Sequence, residues 1–306
     1  MNTRLTDGEN LIELNGVRHW TRIAGAALAT TPLVIVHGGP GGHLYNFEHT
    51  IGPALEAFTT VIYYEQRGCG RSDQPPDPYT YSIELLISDL DELRAALQLD
   101  QINLLGFAFG GELTLEYALA QPHRVGRLIV QAPSLGRRVG GPGLFDEHTA
   151  CVQLHGFQLV AYGEVARRVR DIAASDETIT ARLDRVWQAV DTETVDRLLF
   201  HNHAAARLNR RLWSESGLIN TGHMLAALTQ QTAAVSLLDR LPALDVPALV
   251  LAGLYDRNIG VEACRDVAAR LPQARLVIFE HSAHFPDMEE PEKYAATVRA
   301  FLAEAK

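Results

Sequence analysis

Cysteine is scarce in this sequence, and the long apolar runs of membrane proteins are missing. Cys69, Cys151 and Cys264 are odd in number and far apart, with no Cys-x-x-Cys spacing, so neither a disulfide framework nor a zinc site is expected. No stretch approaches the ~18 apolar residues of a transmembrane helix, and the first residues carry no apolar signal-peptide core. We therefore expect free thiols in a reducing compartment, with the cytoplasm as the default.

Positive charge is also in the minority. The 306 residues include 27 Lys and Arg against 37 Asp and Glu, which gives a formal net charge of -10 at pH 7. Nucleic acids and anionic membranes both bind basic faces, so neither is an expected partner. The length and a hydrophobic content of 47% are sufficient for one large α/β domain with an inserted subdomain. No pattern indicates an oligomeric state.

Short apolar runs alternate with helical patterns in both outer parts of the chain. A hairpin pattern over residues 10–24 precedes the first buried run. Strands are predicted at 32–36, 60–64, 102–105, 127–131, 247–253 and 275–280. Helices are predicted at 47–58, 81–98, 112–120, 261–270 and 291–304. This alternation predicts an α/β fold with a doubly wound, mostly parallel sheet and right-handed crossovers.

The strand pattern disappears in the middle of the chain, where amphipathic helical patterns replace it. These patterns cover residues 144–161, 163–174, 177–190, 193–213 and 223–240. A segment of roughly 100 residues is too long for a loop. We therefore predict a helical cap domain over residues 134–241, inserted into a core domain made of residues 1–133 and 242–306.

A glycine-spaced corner around Ala108 lies between a predicted strand and a predicted helix. Gly106 and Gly110 stand two residues before and two residues after Ala108. This is the spacing of the nucleophile elbow, Gly-x-Ser-x-Gly, in which a sharp turn lifts the serine above the end of a sheet. Ala108 occupies the serine position. Two explanations stay open: a serine hydrolase inactivated by the loss of one oxygen atom, or a natural protein without this nucleophile that binds a ligand or performs other chemistry.

Three further strand ends carry the other groups that acyl transfer requires. Asp256 follows one predicted strand, His281 and His284 follow the last one, and a Gly-rich turn containing Gly39 follows the first. The carboxyl ends of parallel strands meet at one edge of a sheet. There an imidazole, oriented by a carboxylate, can activate a serine hydroxyl, and the backbone N–H groups of Gly39 and Phe109 can stabilise an oxyanion.

Three motifs, at residues 37–42, 65–72 and 106–111, resemble those of the α/β-hydrolase fold family, and in particular its proline iminopeptidase-like branch. The segment from His284 to Pro291 is similar to the catalytic histidine segment of that family, which favours His284 over His281. The resemblance implies a serine hydrolase whose nucleophile position is Ala108, whose acid is Asp256 and whose base is His284. It implies an oxyanion hole at Gly39 and Phe109, and no cofactor or metal.

Members of this branch hold the free amino group of the substrate with acidic side chains, some of them from the cap. The segment 212–217 resembles such a cap segment, in which Glu215 is either the amine anchor or a solvent-facing carboxylate at a helix end. Gly38 is a further predicted substrate contact, as is Arg257, which stands where some of these relatives carry a second acid. Arg257 would, however, repel an ammonium group and suit a carboxylate or carbonyl oxygen. The leading interpretation is hydrolysis of an amide bond in a small peptide or aminoacylated small molecule. The alternatives are a carboxylesterase or lactonase acting on a small-molecule ester, and a non-hydrolytic ligand-binding pseudoenzyme.

Overall fold

The computed structural model describes residues 5–77, 80–135, 139 and 146–304. Eight strands of the described chain form one sheet: β1 Gly8–Leu14, β2 Val17–Ala24, β3 Leu33–Val36, β4 Val61–Tyr64, β5 Ile102–Phe107, β6 Val125–Gln131, β7 Ala248–Gly253 and β8 Ala274–Phe279. Their order across the sheet is β1-β2-β4-β3-β5-β6-β7-β8. Pairing is antiparallel in β1–β2 and β2–β4, and parallel from β4 to β8. The predicted fold class is confirmed.

The order of the strands reverses at β3, which determines where a site can form. The chain passes from β3 to its neighbour β4 on one side, and then returns to place β5 on the other side of β3. Crossovers that leave a parallel sheet in opposite directions open a crevice at the carboxyl ends of the two strands concerned. The turn after β3 and the elbow after β5 therefore border the same crevice.

Helices cover both faces of the sheet. Those outside the central segment are α1 Tyr45–His49, α2 Gly52–Glu56, α3 Ile83–Ala96, α4 Phe109–Ala120, α12 Val261–Arg270, α13 Pro286–Glu289 and α14 Pro291–Ala303. Val34 and Val36 lie in a hydrophobic core with side chains of α3, α4 and α12, whereas Leu33 and Ile35 lie in a second core with side chains of α2 and α14. Strand β3 is buried on both faces, which explains its continuous apolar run.

The segment between β6 and β7 is helical. It contains α5 Glu147–Val160, α6 Gly163–Ala173, α7 Ile179–Ala189, α8 Thr192–Leu199, α9 His203–Ser216, α10 His223–Thr229 and α11 Leu237–Arg240. Side chains of α5, α6, α7 and α8 form a separate small hydrophobic core. We call residues 146–240 the helical insertion. Its own core agrees with the proposed cap domain, whose boundaries at 134 and 241 stay a prediction, and residues 144–145 of the first predicted helix lie outside the described residues.

Three predicted helices are each divided in the structure, and the one predicted over 223–240 is α10 followed by α11. The helix predicted over 47–58 is α1 followed by α2, because Pro53 has no N–H and its ring would clash with the carbonyl of His49 in a continuous helix. The helix predicted over 193–213 is α8 followed by α9. The break places Phe200 in a buried stack on Phe285, and the side chain of Asn202 caps α9 by accepting from the N–H of Ala204 at 2.8 Å.

None of the helices in the described part of the chain combines the length and the apolarity that a bilayer span requires.

A buried ion pair connects the motif at residues 65–72 to α3. The guanidinium of Arg67 donates two hydrogen bonds of 2.6 Å to the carboxylate of Asp89, which also accepts from Asn15 at 2.9 Å and lies 3.4 Å from His19. The Asp89 side chain is fully buried. Burial alone would raise the pKa of Asp89, but Arg67 and the other donors hold it below its ordinary value.

Removing the Asp89 carboxylate should therefore destabilise the protein strongly. Asp89→Ala leaves the Arg67 charge buried and unpaired, and we expect the free energy of unfolding to fall by about 3–5 kcal/mol in urea denaturation. The matched control is Asp100→Ala, because Asp100 pairs with Arg124 on the surface and its side chain is 92% exposed. That control should leave the unfolding midpoint unchanged. Equal effects of the two substitutions would contradict a structural role for the buried pair.

Candidate active site

Ala108 occupies a strained corner between β5 and α4. Its backbone has φ 50° and ψ −120°, a region that residues with a Cβ rarely adopt and that costs about 1–3 kcal/mol. The flanking glycines are required by space: a Cβ on Gly106 would overlap the carbonyl oxygen of Gly110, and one on Gly110 would overlap that of Val36. The corner therefore has the geometry of a nucleophile elbow, and the methyl group of Ala108 occupies the place of the CH₂OH side chain of a serine.

The loops after β7 and β8 bring a carboxylate and an imidazole together. His284 Nδ1 lies 3.0 Å from Asp256 Oδ2, and the other carboxylate oxygen accepts from the N–H groups of Asn258 and Ile259 at 2.8 and 3.1 Å. Burial alone would raise the pKa of Asp256, but the imidazole and the two backbone donors hold it below its ordinary value. A Cβ on Gly253 would overlap the carbonyl oxygen of Ala283, so this glycine lets the two loops approach.

The tautomer of His284 follows from these contacts. The ionised carboxylate of Asp256 can only accept, so Nδ1 carries the proton of the neutral ring and Nε2 has the free lone pair. The amide nitrogen of Asn258 lies 3.4 Å from Nε2 and is oriented to donate to it. This is the tautomer that a general base for a serine hydroxyl needs. The catalytic roles of Ala108, Asp256 and His284 stay a prediction, but the structure brings all three to one edge of the sheet.

The Gly-rich turn after β3 lies directly against the elbow. A Cβ on Gly38 would stand 3.1 Å from the Ala108 Cβ and 2.9 Å from the carbonyl oxygen of Phe107, so no side chain fits there. Gly39 has a φ of 127°. A cavity of about 20 Å³, large enough for one water molecule or one oxygen atom, lies between these segments. It is lined by Gly39, Pro40, Ala108, Phe109, Ser134, Asn258 and Ile259. Both proposed oxyanion donors thus border one small cavity.

The motif at residues 65–72 holds this turn in place, a role that the sequence alone did not reveal. The backbone N–H of Gln66 donates to His37 Nε2 at 3.1 Å, so the ring carries its proton on Nδ1 and donates to the carbonyl of Gly38 at 2.9 Å. That carbonyl belongs to the same peptide as the N–H of Gly39. Because the two groups of a trans peptide point in opposite directions, the hydrogen bond fixes the direction of the Gly39 N–H.

Glu65 supports the other end of the turn. Its buried carboxylate accepts from the backbone N–H of Leu44 at 2.9 Å and from the side chain of Arg71 at 2.7 Å. Burial alone would raise the pKa of Glu65, but the Arg71 guanidinium and the backbone donors lower it. Glu65 and Gln66, which are adjacent and follow β4, therefore hold the two ends of the segment that runs from His37 to Leu44 after β3.

A larger cavity of about 340 Å³ opens in front of Ala108 and His284. Its size is that of a small-molecule pocket. Aromatic and aliphatic side chains make up much of the wall, namely Phe47, Phe107, Trp187, Leu199, Trp213, Phe285 and Met288. The polar side chains are His43, Asn46, Asn209, Asn220, Asn258, His284 and Asp287. Nowhere in the described residues do three or more His, Cys, Asp or Glu side chains cluster as metal ligands would.

Asp287 is the carboxyl group among the described residues that line this cavity. Gln131 Nε2 donates to Asp287 Oδ1 at 2.7 Å, and the same nitrogen lies 3.3 Å from the main-chain oxygen of His284. Burial raises the pKa of Asp287 to about 6, although the Gln131 hydrogen bond and the nearby imidazole act in the opposite direction. No sequence motif indicated this residue, because its burial depends on the packing of α13 over β6.

The loop that carries His284 is attached to the helical insertion. The N–H of His284 donates to the carbonyl of Leu199 at 2.9 Å. Glu289 accepts from the N–H of Ala283 with one oxygen and from the N–H groups of His201 and Asn202 with the other. The glutamate of the histidine segment therefore joins the base-bearing loop to the break between α8 and α9.

Two predicted substrate contacts have no geometric support. Glu215 lies near the end of α9, is half exposed and is 3.6 Å from Arg211, whereas Trp213 on another face of the helix lines the cavity. Arg257 is not among the residues that line the cavity, and its guanidinium lies 3.5 Å from the carbonyl of Arg197. Gly38, the third predicted contact, does line the cavity. The phase of α9 and the packing of the acid loop against α5 explain these positions.

Comparison with known proteins agrees with this fold. Residues 31–291 match the α/β hydrolase fold family. A proline iminopeptidase of Heyndrickxia coagulans is 27% identical over 284 residues, which covers 89% of this chain and 90% of that protein. A proline iminopeptidase of Lactobacillus delbrueckii subsp. bulgaricus is 30% identical over 311 residues, with coverage of 96% and 97%.

A solved structure has the same fold along nearly the whole length. The crystal structure of a proline iminopeptidase-related protein from Thermus thermophilus superposes with a TM-score of 0.77 and covers 98% of each chain, at 22% sequence identity. The chain therefore belongs to the α/β-hydrolase fold family and is a proline iminopeptidase-like hydrolase within it.

Proposed function

We propose that the site is the acyl-transfer centre of a serine hydrolase in which Ala108 stands in place of the nucleophilic serine. The observation that carries this proposal is the hydrogen-bonded pair of Asp256 and His284 beside a strained elbow that still bears a Cβ. Glycine would adopt φ 50° without strain, whereas Ala108 adopts it at a cost. A residue with a Cβ at such a position is expected when the position has to present a side chain to the site. The intact acid, base and oxyanion turn favour this proposal over a natural protein that lacks a nucleophile.

The mechanism follows from the positions of the groups. With serine at position 108, His284 Nε2 would take the hydroxyl proton as the oxygen attacks the substrate carbonyl, and Asp256 would stabilise the imidazolium. The N–H groups of Gly39 and Phe109 would hold the negative oxygen of the tetrahedral intermediate. His284 would then donate its proton to the leaving group, and water would release the acyl group by the same steps in reverse.

The substrate that we propose is a small amide, either a short peptide or an aminoacylated small molecule. The relatives named proline iminopeptidases support an amide, and the cavity of about 340 Å³ suits a small, largely apolar acyl group. An aminoacyl substrate needs a carboxylate for its ammonium group. Asp287 replaces Glu215 as the proposed anchor, because Asp287 lines the cavity and Glu215 faces solvent.

A second candidate is hydrolysis of a small-molecule ester by the same groups. The specific observation in its favour is the wall of aromatic rings with one carboxyl group among the described lining residues, since a neutral ester requires no amine anchor. The amide candidate predicts that KM for an aminoacyl substrate depends on the charge of Asp287, whereas the ester candidate predicts no such dependence for an acyl ester.

Restoring the nucleophile should restore hydrolysis. We expect Ala108→Ser to release arylamine from aminoacyl arylamides or phenol from acyl aryl esters, while the Ala108 protein releases neither. Adding Asp256→Asn to the serine variant should lower kcat by about 10⁴-fold, because the imidazole would lose the acceptor that sets its tautomer. A serine variant that folds, as judged by thermal unfolding, yet hydrolyses neither substrate class would refute the proposed centre.

The role of Asp287 can be tested in the serine variant. If its carboxylate pairs with the substrate ammonium, Asp287→Asn should raise KM for an aminoacyl arylamide about 10-fold and leave KM for an acyl ester unchanged. The KM for the aminoacyl substrate should also rise as the pH falls through about 6, because protonation removes the negative charge.

Glu215→Gln is the matched control, since it also neutralises a carboxylate, and it should change neither KM. If Glu215→Gln raised KM for the aminoacyl substrate as much as Asp287→Asn or more, the amine anchor would be Glu215 in the helical insertion and not Asp287. Equal sensitivity of both substrate classes to Asp287→Asn would contradict the pairing of Asp287 with a substrate ammonium group.

A further inference from the structure

The chain with Ala108 retains a general base that faces the cavity without an intervening hydroxyl. His284 and Ala108 lie on the wall of the same cavity, and the base nitrogen Nε2 lies 3.4 Å from the side-chain amide nitrogen of Asn258. A contact of this length is weak and is readily displaced by a ligand. The neutral ring is held with its lone pair on Nε2 by Asp256. The imidazole can therefore accept a proton directly from a bound molecule.

The proposed oxyanion hole does not depend on the side chain at position 108. Its two proposed donors are the backbone N–H groups of Gly39 and Phe109, and both residues border the cavity of about 20 Å³ beside Ala108. The direction of the Gly39 N–H is set by His37 and Gln66, which are also independent of that side chain. A carbonyl oxygen placed in this cavity could accept hydrogen bonds from both N–H groups whether or not a serine is present at position 108.

A base and an oxyanion hole without a nucleophile are the requirements for enolate formation. We propose that the chain as it stands, with Ala108, catalyses proton transfer at the carbon next to a carbonyl group. This activity goes beyond the proposed hydrolysis and does not require a serine. The substrate class is a small neutral ketone with an aryl group, because aromatic rings line the larger cavity in front of the base.

The step balances without any co-reactant. The carbonyl oxygen enters the small cavity, and His284 Nε2 removes a proton from the adjacent carbon. The C–H bond breaks and an N–H bond forms, while the electron pair moves through the carbon–carbon bond to the oxygen, which becomes an enolate held by Gly39 and Phe109. Asp256 stabilises the imidazolium. The proton, or a solvent-derived deuteron after exchange at Nε2, returns to carbon, so the net result is isotope exchange or epimerisation.

The test is hydrogen–deuterium exchange of 2-tetralone in D₂O, followed by ¹H NMR, with the Ala108 protein as catalyst. We expect loss of the signals next to the carbonyl to be on the order of 10²-fold faster than with an equal concentration of His284→Asn protein. The matched control is His281→Asn, the same substitution on an exposed imidazole three residues away, which should leave the rate unchanged. Thermal unfolding of each variant checks its fold.

Ala108→Ser provides a second, independent variant. The added hydroxyl donates to Nε2 and stands between the base and the ligand, so exchange should fall at least about 10-fold. Equal exchange rates for the Ala108 and His284→Asn proteins, or for the Ala108 and Ala108→Ser proteins, would overturn the proposal. Because this readout uses the alanine form and hydrolysis uses the serine form, failure of one leaves the other measurable.

Discussion

The hydrogen bond between His284 Nδ1 and Asp256 Oδ2 is the interaction on which the rest of the site depends. It decides which nitrogen of the imidazole carries the proton, and therefore whether the other nitrogen can act as a base. The bond can form because β7 and β8 are neighbours in the sheet and their loops pack closely at Gly253. Two distant parts of the sequence thereby become one proton-accepting unit.

The opposite side of the site is built mainly from backbone groups. The turn at Gly38 and Gly39 is fixed by His37, Gln66 and Glu65, and the elbow at Ala108 is fixed by glycines that leave no room for a side chain. Backbone donors held in this way need little reorganisation when charge develops on a bound oxygen. The backbone N–H groups proposed to stabilise an oxyanion therefore stay in place when the side chain at position 108 changes.

The helical insertion is hydrogen-bonded to the loops that carry the base and the Gly-rich turn, in addition to lining the cavity. The carbonyl of Leu199 binds the backbone of His284, and Asn220 donates to the carbonyl of Pro40 in the Gly-rich turn. Residues of the insertion, including Trp187 and Trp213, form part of the cavity wall. Movement of the insertion would therefore change both the space for a substrate and the loops that carry the base and the proposed oxyanion donors.

The sequence predicted the parts of the structure that depend on local pattern. Buried strands such as β3 appear as continuous apolar runs, and the elbow requires glycine at fixed positions, so both were visible without coordinates. Asp287 was not visible, because its place in the cavity depends on the packing of α13 against Gln131 in β6. The position of Glu215 was also not predictable, because a motif gives the residue but the phase of α9 decides which face meets the cavity, and the Glu215 side chain is half exposed beside Arg211.

The most direct test of the central claim is a crystal structure of the Ala108→Ser protein after reaction with a diphenyl phosphonate ester, which loses one phenol as the serine oxygen attacks phosphorus and leaves a stable mimic of the tetrahedral intermediate. The account predicts phosphorus bonded to the side-chain oxygen at position 108, and a phosphoryl oxygen within about 3 Å of the N–H groups of Gly39 and Phe109. His284 should remain hydrogen-bonded to Asp256. A phosphoryl oxygen outside the small cavity, or a label on another residue, would contradict the assignment of this site as an acyl-transfer centre.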